Sequence, residues 1–249
     1  MQQRQSEQMI EEQKKAAALK AAEMIPDQTV IGLGSGSTVK YLIEELGRRR
    51  QDGQIDIQVV TSSYESQFLA RRFEIPVLVL TGISKLDLTI DGADEIDTQG
   101  NAIKGKGGAQ TLEKVLAWLS ERYILIADST KLVETLGRAA PVPIEVIPEA
   151  VDLVQNRLAA IGCQLSIRTG DGKVGPVMTD LGNMIIDAYF EAIKDPRGLA
   201  QYLNNFPGVL GHGLFVNGVD QAIVGVYKDG VIKTELHQYD RIKEPEYES

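Results

Sequence analysis

The sequence predicts an α/β protein: an open, mostly parallel sheet with helices on both faces, carrying a smaller inserted α+β domain. Three observations predict it. Through the first two-thirds of the chain, strand-length apolar runs alternate with amphipathic helical stretches, the pattern of a sheet built by helical crossovers. After Lys131 the alternation stops, and Pro141, Pro143 and Pro148 punctuate a short segment. Near the C-terminus, β-branched runs flank Lys228, Asp229 and Gly230, which is a hairpin signal.

From the N-terminus, helix-forming residues predict a helix over 7–23, with the residues before 7 expected to be disordered. Pro26 separates it from a strand over 29–33, a glycine-rich turn and a helix over 38–50. A strand over 57–60 and a helix over 64–72 follow. Further strands are expected over 77–80, 86–90 and 123–127, with a helix over 109–120 between the last two. The proline-punctuated segment reads as a linker. Beyond it, Val151, Val154, Leu158 and Ile161 give one apolar face to a helix over 149–161. Short strands over 164–168 and 184–188 and a helix over 196–205 complete a small α+β unit. The hairpin over 222–236 is expected to rejoin the first sheet. The division is therefore 1–136 with 212–249 as a large domain, and 137–211 as a small one.

Composition narrows the function classes. The chain has 249 residues, enough for a substantial core, and a formal charge of −9, which argues against a general polyanion-binding surface and so against nucleic-acid partners. Its single cysteine, Cys163, precludes an internal disulfide framework and fits a reducing, cytoplasmic location. No apolar run approaches the roughly 18 residues of a bilayer span, and the polar N-terminus lacks the apolar core of a secretory signal. An anionic ligand would have to be held by a local site.

Four motifs offer such sites, each at an expected strand end. Gly32 to Thr38 (GLGSGST) joins a strand to a helix. Its glycines admit a ligand to the backbone, the helix N-terminus attracts an anion, and Ser35, Ser37 and Thr38 add hydroxyls. A capped turn with no ligand explains the same residues. The dinucleotide fingerprint is excluded because Ser37 stands where it needs glycine, and the P-loop because no lysine follows Gly36. Asp91 to Asp97 (DGADEID) packs four acids into seven positions. They suit substrate hydroxyls, a hard cation or a solvated loop, and the absence of EF-hand spacing or a nearby histidine places hydroxyl contacts first.

Lys104 to Glu113 (KGKGGAQTLE) is a second glycine turn opening a helix, and its lysines suit a phosphate or a developing oxyanion. Leu112, Val115, Leu116 and Leu119 read as the buried stripe of that helix, with Glu113 at its edge. A first-turn glutamate favoured by the helix dipole is the simpler reading of Glu113 alone. Asp128 to Lys131 (DSTK) adds a lysine at another strand end. His212 and His237 are assigned structural or surface roles.

Together the motifs resemble the type A ribose-5-phosphate isomerase family. GLGSGST, DGADEID, KGKGGAQTLEK and IADSTK occur in that family's order, and PVPIEVIP and NNFPGVLGHGLF extend the resemblance over nearly the whole chain. It implies a Rossmann-like large domain with a smaller α+β insertion, a dimer or tetramer, and no cofactor or metal. The implied activity is interconversion of ribose 5-phosphate and ribulose 5-phosphate through an enediolate. Glu113 would move the proton between C1 and C2, Asp91 would assist ring opening, and Asp94 and Lys104 would hold the reacting oxygens. Further substrate contacts are implied for Ser35, Gly36, Ser37, Thr38, Gly92, Ala93, Gly105, Lys106, Gly107 and Lys131. Lys106 departs from the glycine common in the family. A non-catalytic sugar-phosphate sensor on the same fold, and a metal-dependent phosphosugar enzyme using the acids of 91–97, are the alternatives.

Overall fold

A computed structural model describes residues 2–242. Met1 and the last seven residues of the expected large domain, 243–249, lie outside the described residues. Helix α1 (Gln2–Ala22) starts at residue 2 rather than 7. The correction has a simple cause: Gln, Arg and Glu are good helix formers, and they extend a helix anchored further on by buried Ala17, Ala18 and Ala21.

Strand β1 (Thr29–Leu33), α2 (Ser37–Gln51), β2 (Ile57–Thr61) and α3 (Tyr64–Arg72) follow. Next come β3 (Leu86–Gly92), the two-residue strands β4 (Glu95–Ile96) and β5 (Ala102–Ile103), α4 (Gln110–Leu119) and β6 (Ser120–Asp128). The expected strand over 77–80 does not form: Val77 makes only an isolated bridge to Val59. Pro76 brings no N–H to a ladder there, and Val79 points to solvent.

The proline segment is not a linker. It forms β7 (Val142–Val146), buried at every position. Its alternating Val and Ile side chains enter a second core. Pro143 pairs with Asp187 of one neighbouring strand while lying beyond the last pair, His212 with Ile144, made with the strand on its other side, where its missing N–H is not required. Then come α5 (Val151–Ala159), β8 (Gln164–Ile167), β9 (Met184–Tyr189), α6 (Pro196–Asn204), β10 (Val209–His212), β11 (Leu214–Phe215), β12 (Gln221–Lys228) and β13 (Val231–Gln238).

The large sheet runs β13-β12-β6-β3-β1-β2, parallel except for the β12–β13 hairpin at its edge. One face packs on α1, α2 and α3 through Ile31, Leu33, Leu42, Ile43, Ile90 and Ile124. Tyr123, Leu125 and Val224 pack with Phe215 in a separate cluster. A second, antiparallel sheet runs β10-β7-β9-β8, and a small third sheet runs β11-β5-β4. The chain order places the C-terminal ends of β1, β3 and β6 side by side, so the loops after Leu33, Gly92 and Asp128 share one edge. That edge is where ligands bind in open parallel sheets.

Candidate active site

A crevice of about 500 Å³ opens at this edge, lined by the turns after β1, β3 and β6, the loop before α4, residues of α1, and residues 177–180 of the second sheet's loop. Its floor is a buried charge cluster. Lys104 Nζ lies 2.9 Å from Asp91 Oδ2 and 3.1 Å from Glu113 Oε2. The three are 2%, 0% and 3% exposed, so these charges are largely withdrawn from water. Asp91 is fully engaged: Oδ1 accepts from the N–H of Ser35 (3.1 Å) and Gly92 (2.7 Å), and Oδ2 accepts from Tyr123 Oη (2.8 Å). Lys104 also donates to the Gly92 carbonyl at 2.5 Å.

Glu113 differs. Its Oε2 is buried and, although close to Lys104, lacks hydrogen-bond geometry to any partner among the described residues. Desolvation, reinforced by the Asp91 charge and opposed by Lys104, raises its pKa to about 8. Burial works against the Lys104 charge, but Asp91 and Glu113 more than offset it and raise the lysine pKa. The Tyr123 hydroxyl, buried beside Asp91, is pushed well above its ordinary range. The cluster thus holds one firm cation, one saturated carboxylate and one carboxylate that exchanges a proton near neutral pH.

Glu113 occupies the buried face of α4, not its edge. That face is Gln110, Glu113, Leu116 and Ala117, while Val115 and Trp118 are exposed. The stripe expected from Leu112, Val115, Leu116 and Leu119 is turned by about one residue, because tertiary contacts pin the helix. Thr111 Oγ1 donates to the buried Glu145 carboxylate of β7, which also accepts from Thr179 Oγ1 at 2.6 Å and Asn183 Nδ2 at 3.1 Å. On the neighbouring flank, Lys114 Nζ donates to the His212 and Leu214 carbonyls at 2.8 and 2.9 Å and sits 3.3 Å from His212 Nδ1. Desolvation draws the Lys114 pKa down to about 7. Its three acceptors match the three N–H bonds of an ammonium. His212 is buried, its Nε2 is 3.0 Å from Asn204 Oδ1, and burial pulls its pKa down to about 3. It is a neutral structural side chain.

The first glycine turn lies above Asp91. A side chain at Gly34 would overlap the Asp91 carboxylate, so the close approach of these two loops requires glycine. Gly36 is the N-cap of α2 with φ +100°, and no side chain caps that helix, so the first N–H groups are left to a ligand or water. Gly36 and Ser37 are exposed, Thr38 is buried, and Ser35 Oγ is shared with the hydroxyls of Ser62 (2.8 Å) and Ser63 (2.7 Å).

The acidic motif divides. Asp94, with Gly92 and Ala93, lines the crevice and accepts from the Lys106 N–H at 3.0 Å. Glu95 is enclosed and accepts from the N–H groups of Gly137, Ala139 and Ala140. Asp97 accepts from the N–H groups of Gln99 and Asn101, each at 2.9 Å. These two acids hold loops. Gly105, Lys106, Gly107 and Lys131 line the crevice, with the Lys106 side chain exposed, whereas Asp91 lies beneath the lining behind Lys104.

Sequence reasoning missed several participants. Lys14 of α1 lines the crevice, and its neighbour Gln13 accepts from Ser129 Oγ at 2.8 Å. Helix periodicity carried the signal: Gln13 shares a face with buried Ala17 and Ala21, which turns that face to the sheet. Tyr123 was legible only as a strand residue. The 177–180 loop had no signal, because only the tertiary fold brings the second sheet to the crevice.

Known proteins resemble this chain over most of its length. The family model described as Ribose 5-phosphate isomerase A (phosphoriboisomerase A) matches residues 58–229. A model of the DeoR C terminal sensor domain matches residues 10–87, which end before Asp91. Ribose-5-phosphate isomerase A of Trichormus variabilis is 44% identical over 211 residues, covering 84% of this chain and 89% of the relative. That of Methanothermobacter thermautotrophicus is 46% identical over 212 residues, covering 85% and 93%. Among solved structures, a D-ribose-5-phosphate isomerase in complex with phospho-erythronic acid superposes with TM-score 0.87 at 41% identity, covering 92% of this chain and 99% of that one. Ribose 5-phosphate isomerase A from Methanocaldococcus jannaschii gives 0.83 at 39% identity, covering 89% and 97%.

Proposed function

This chain belongs to the ribose 5-phosphate isomerase A family, and from that premise we propose that its crevice isomerises the sugar phosphate with Glu113 as the travelling base. The enzyme is an aldose–ketose isomerase that interconverts D-ribose 5-phosphate and D-ribulose 5-phosphate. The observation that carries the role of Glu113 is its carboxylate: buried on α4, facing the crevice, 3.1 Å from Lys104 and raised to about 8. A base that must take and return one proton works best with a pKa near the operating pH.

The chemistry follows from the charges. Glu113 removes the proton from C2 of the open-chain aldose, and the electron pair forms the C1–C2 double bond as the C1 carbonyl oxygen becomes an oxyanion. Lys104 stabilises that negative charge from a site with little water to reorganise. The proton on the C2 hydroxyl passes to the C1 oxygen, and Glu113 delivers its own proton to C1, leaving a ketone at C2. Asp91, with both oxygens occupied, acts in this arrangement by fixing Lys104. Asp94 faces the sugar hydroxyls. The phosphate lies at the open N-terminus of α2, against Gly36, Ser37 and Thr38, with Lys131 and Lys14 supplying positive charge.

The match to the sensor model spans Lys14 and the turn before α2 but neither Lys131 nor the buried cluster, which supports a shared anion cradle at that turn and leaves the isomerase chemistry to Asp91, Lys104 and Glu113. A metal-dependent reading loses support from donor chemistry: Asp91, Glu95 and Asp97 already accept from amides, a tyrosine and a lysine. Full turnover should therefore survive exhaustive chelation. We also place the enzyme in the cytoplasm as a homodimer. The single Cys163 and the family resemblance support that reading, and sizing in solution tests the dimer.

The deciding experiment is Glu113→Gln assayed for ketose from ribose 5-phosphate. Loss of a general base should lower kcat on the order of 10² to 10⁴ while the folded protein still binds substrate. Near-normal turnover in that variant would remove Glu113 from the mechanism.

A further inference from the structure

Arg168, the residue after β8, joins the second sheet to the loop that carries Lys104. Its Nε donates to Asp187 Oδ2 at 2.8 Å and its Nη2 to Asp187 Oδ1, a bidentate fork that fixes the guanidinium plane. The remaining Nη1 donates to two carbonyls, those of Gly105 and Lys106, each at 2.9 Å. Arg168 and Asp187 side chains are 15% and 9% exposed, so little water competes for these bonds.

The consequence lies on the far side of the loop. All peptide bonds here are trans, and in a trans peptide the C=O of one residue and the N–H of the next point in opposite directions. Drawing the Gly105 carbonyl toward Arg168 turns the Lys106 N–H away from it, and that N–H does meet Asp94 Oδ2 at 3.0 Å on the crevice side. Drawing the Lys106 carbonyl toward the same Nη1 turns the Gly107 N–H the same way. Gly107 lines the crevice, and the loop is tight enough for the Gly108 N–H to reach the Gly105 carbonyl at 2.9 Å.

We propose that Arg168, gripped by Asp187, is a positioning residue for the isomerisation: by holding two carbonyls behind the loop it aims the Gly107 N–H at the oxygen that becomes negative, alongside Lys104. This rests on the proposed enediolate chemistry at Glu113. Arg168 touches no substrate. It acts through the peptide planes of residues 105–107, and its second effect is to keep Asp94 tied to the loop through the Lys106 N–H.

The test is Arg168→Met and Arg168→Lys in the full chain, with kcat, KM and competitive inhibition by phospho-erythronic acid and by inorganic phosphate. Misaiming an oxyanion donor should lower kcat by roughly 10- to 100-fold, since outright removal of such a donor costs about 10² to 10³. KM should move less than about threefold, because the phosphate end is untouched. Inhibition by phospho-erythronic acid, an anion at the sugar end, should weaken about tenfold or more, and inhibition by inorganic phosphate should not. Lysine should not rescue, because a point charge cannot fork to Asp187 and reach both carbonyls. If Arg168→Met does not fold, Asp187→Asn supplies the same readout with a smaller drop. A kcat within twofold of the parent in a folded variant, or equal weakening of the two inhibitors, overturns the proposal. Glu113→Gln run in parallel separates the two ideas: its normal turnover would discard the base, while the ratio of the two inhibition constants still reports on the clamp.

Discussion

Two glycine-rich turns open two helices beside the same crevice, and they differ in how much of the turn is held. The turn before α2 is left open at its helix end. Neither helix has a side-chain cap; before α2 the holding contacts fall on Gly34 and Ser35, through Ser66, Asp91, Ser62 and Ser63, and leave the exposed Gly36 and Ser37 at the helix end. The turn before α4 is braced on every side. Asp94 holds the Lys106 N–H, Arg168 holds the carbonyls of Gly105 and Lys106, and Lys104 is locked between Asp91, Glu113 and the Gly92 carbonyl. An unfilled helix terminus suits a phosphate that must enter and leave. A braced loop suits chemistry, where a donor misplaced by about an ångström costs on the order of 10²-fold. The same residue types thus serve binding in one turn and transition-state stabilisation in the other.

The sharpest way to break this contrast is to disarm the braced turn. Lys104→Met should lower kcat by about 10² to 10³, the scale of a lost oxyanion donor. It also leaves Asp91 and Glu113 as neighbouring buried carboxylates with no cation between them, so the Glu113 pKa should climb further. A folded Lys104→Met enzyme with kcat within a few-fold of the parent would show that the brace serves stability alone.

A smaller and different effect is expected from the open turn. Lys131→Met removes a cation from the phosphate end, and a charge-assisted hydrogen bond contributes about 1.5–3 kcal/mol. KM for ribose 5-phosphate should therefore rise about tenfold or more, with kcat changed much less, because that bond is made equally in the ground and transition states. Steady-state kinetics over a wide substrate range separates the two parameters. A fall in kcat as large as that for Lys104→Met, with KM unmoved, would erase the distinction between the turns.

Both turns were legible in the sequence as glycine runs opening a helix, and the parallel sheet was legible from apolar alternation. The differences between the turns were not. Whether Gly36 is capped depends on where Ser35 points, and its hydroxyl is claimed by Ser62 and Ser63, 27 and 28 residues away. Arg168 reaches the loop from more than 60 residues downstream, through a second sheet one of whose two inner strands, β7, was hidden by Pro143 and the prolines that flank it. The face of α4 was misjudged because periodicity counts apolar side chains. Here the most buried positions include a glutamate and a glutamine, and Thr111 is tied to a carboxylate on β7. Local sequence reports where a helix starts. Its rotation was set by polar contacts that only the folded chain makes.

The last consequence of the contrast concerns pH, and its effect is the smallest. Glu113 in the folded protein keeps its proton up to about 8, against an ordinary value of 4.5. Between those values the folded state binds more protons than the unfolded chain, so this group's contribution to stability is full below pH 4.5 and is lost as pH rises through about 8. Glu113→Gln removes that dependence. The difference in melting temperature, variant minus parent, should be near zero at pH 5 and grow to a few degrees in the variant's favour at pH 9. Over the same range, kcat/KM of the parent should rise through an apparent pKa near 8, because the free enzyme must present Glu113 as a carboxylate. Ser37→Ala, in the open turn, removes no titrating group, so its stability difference from the parent should be flat with pH. A Glu113→Gln difference that is equally flat would show that the carboxylate is not strained by burial. The second turn would then be no more than a copy of the first.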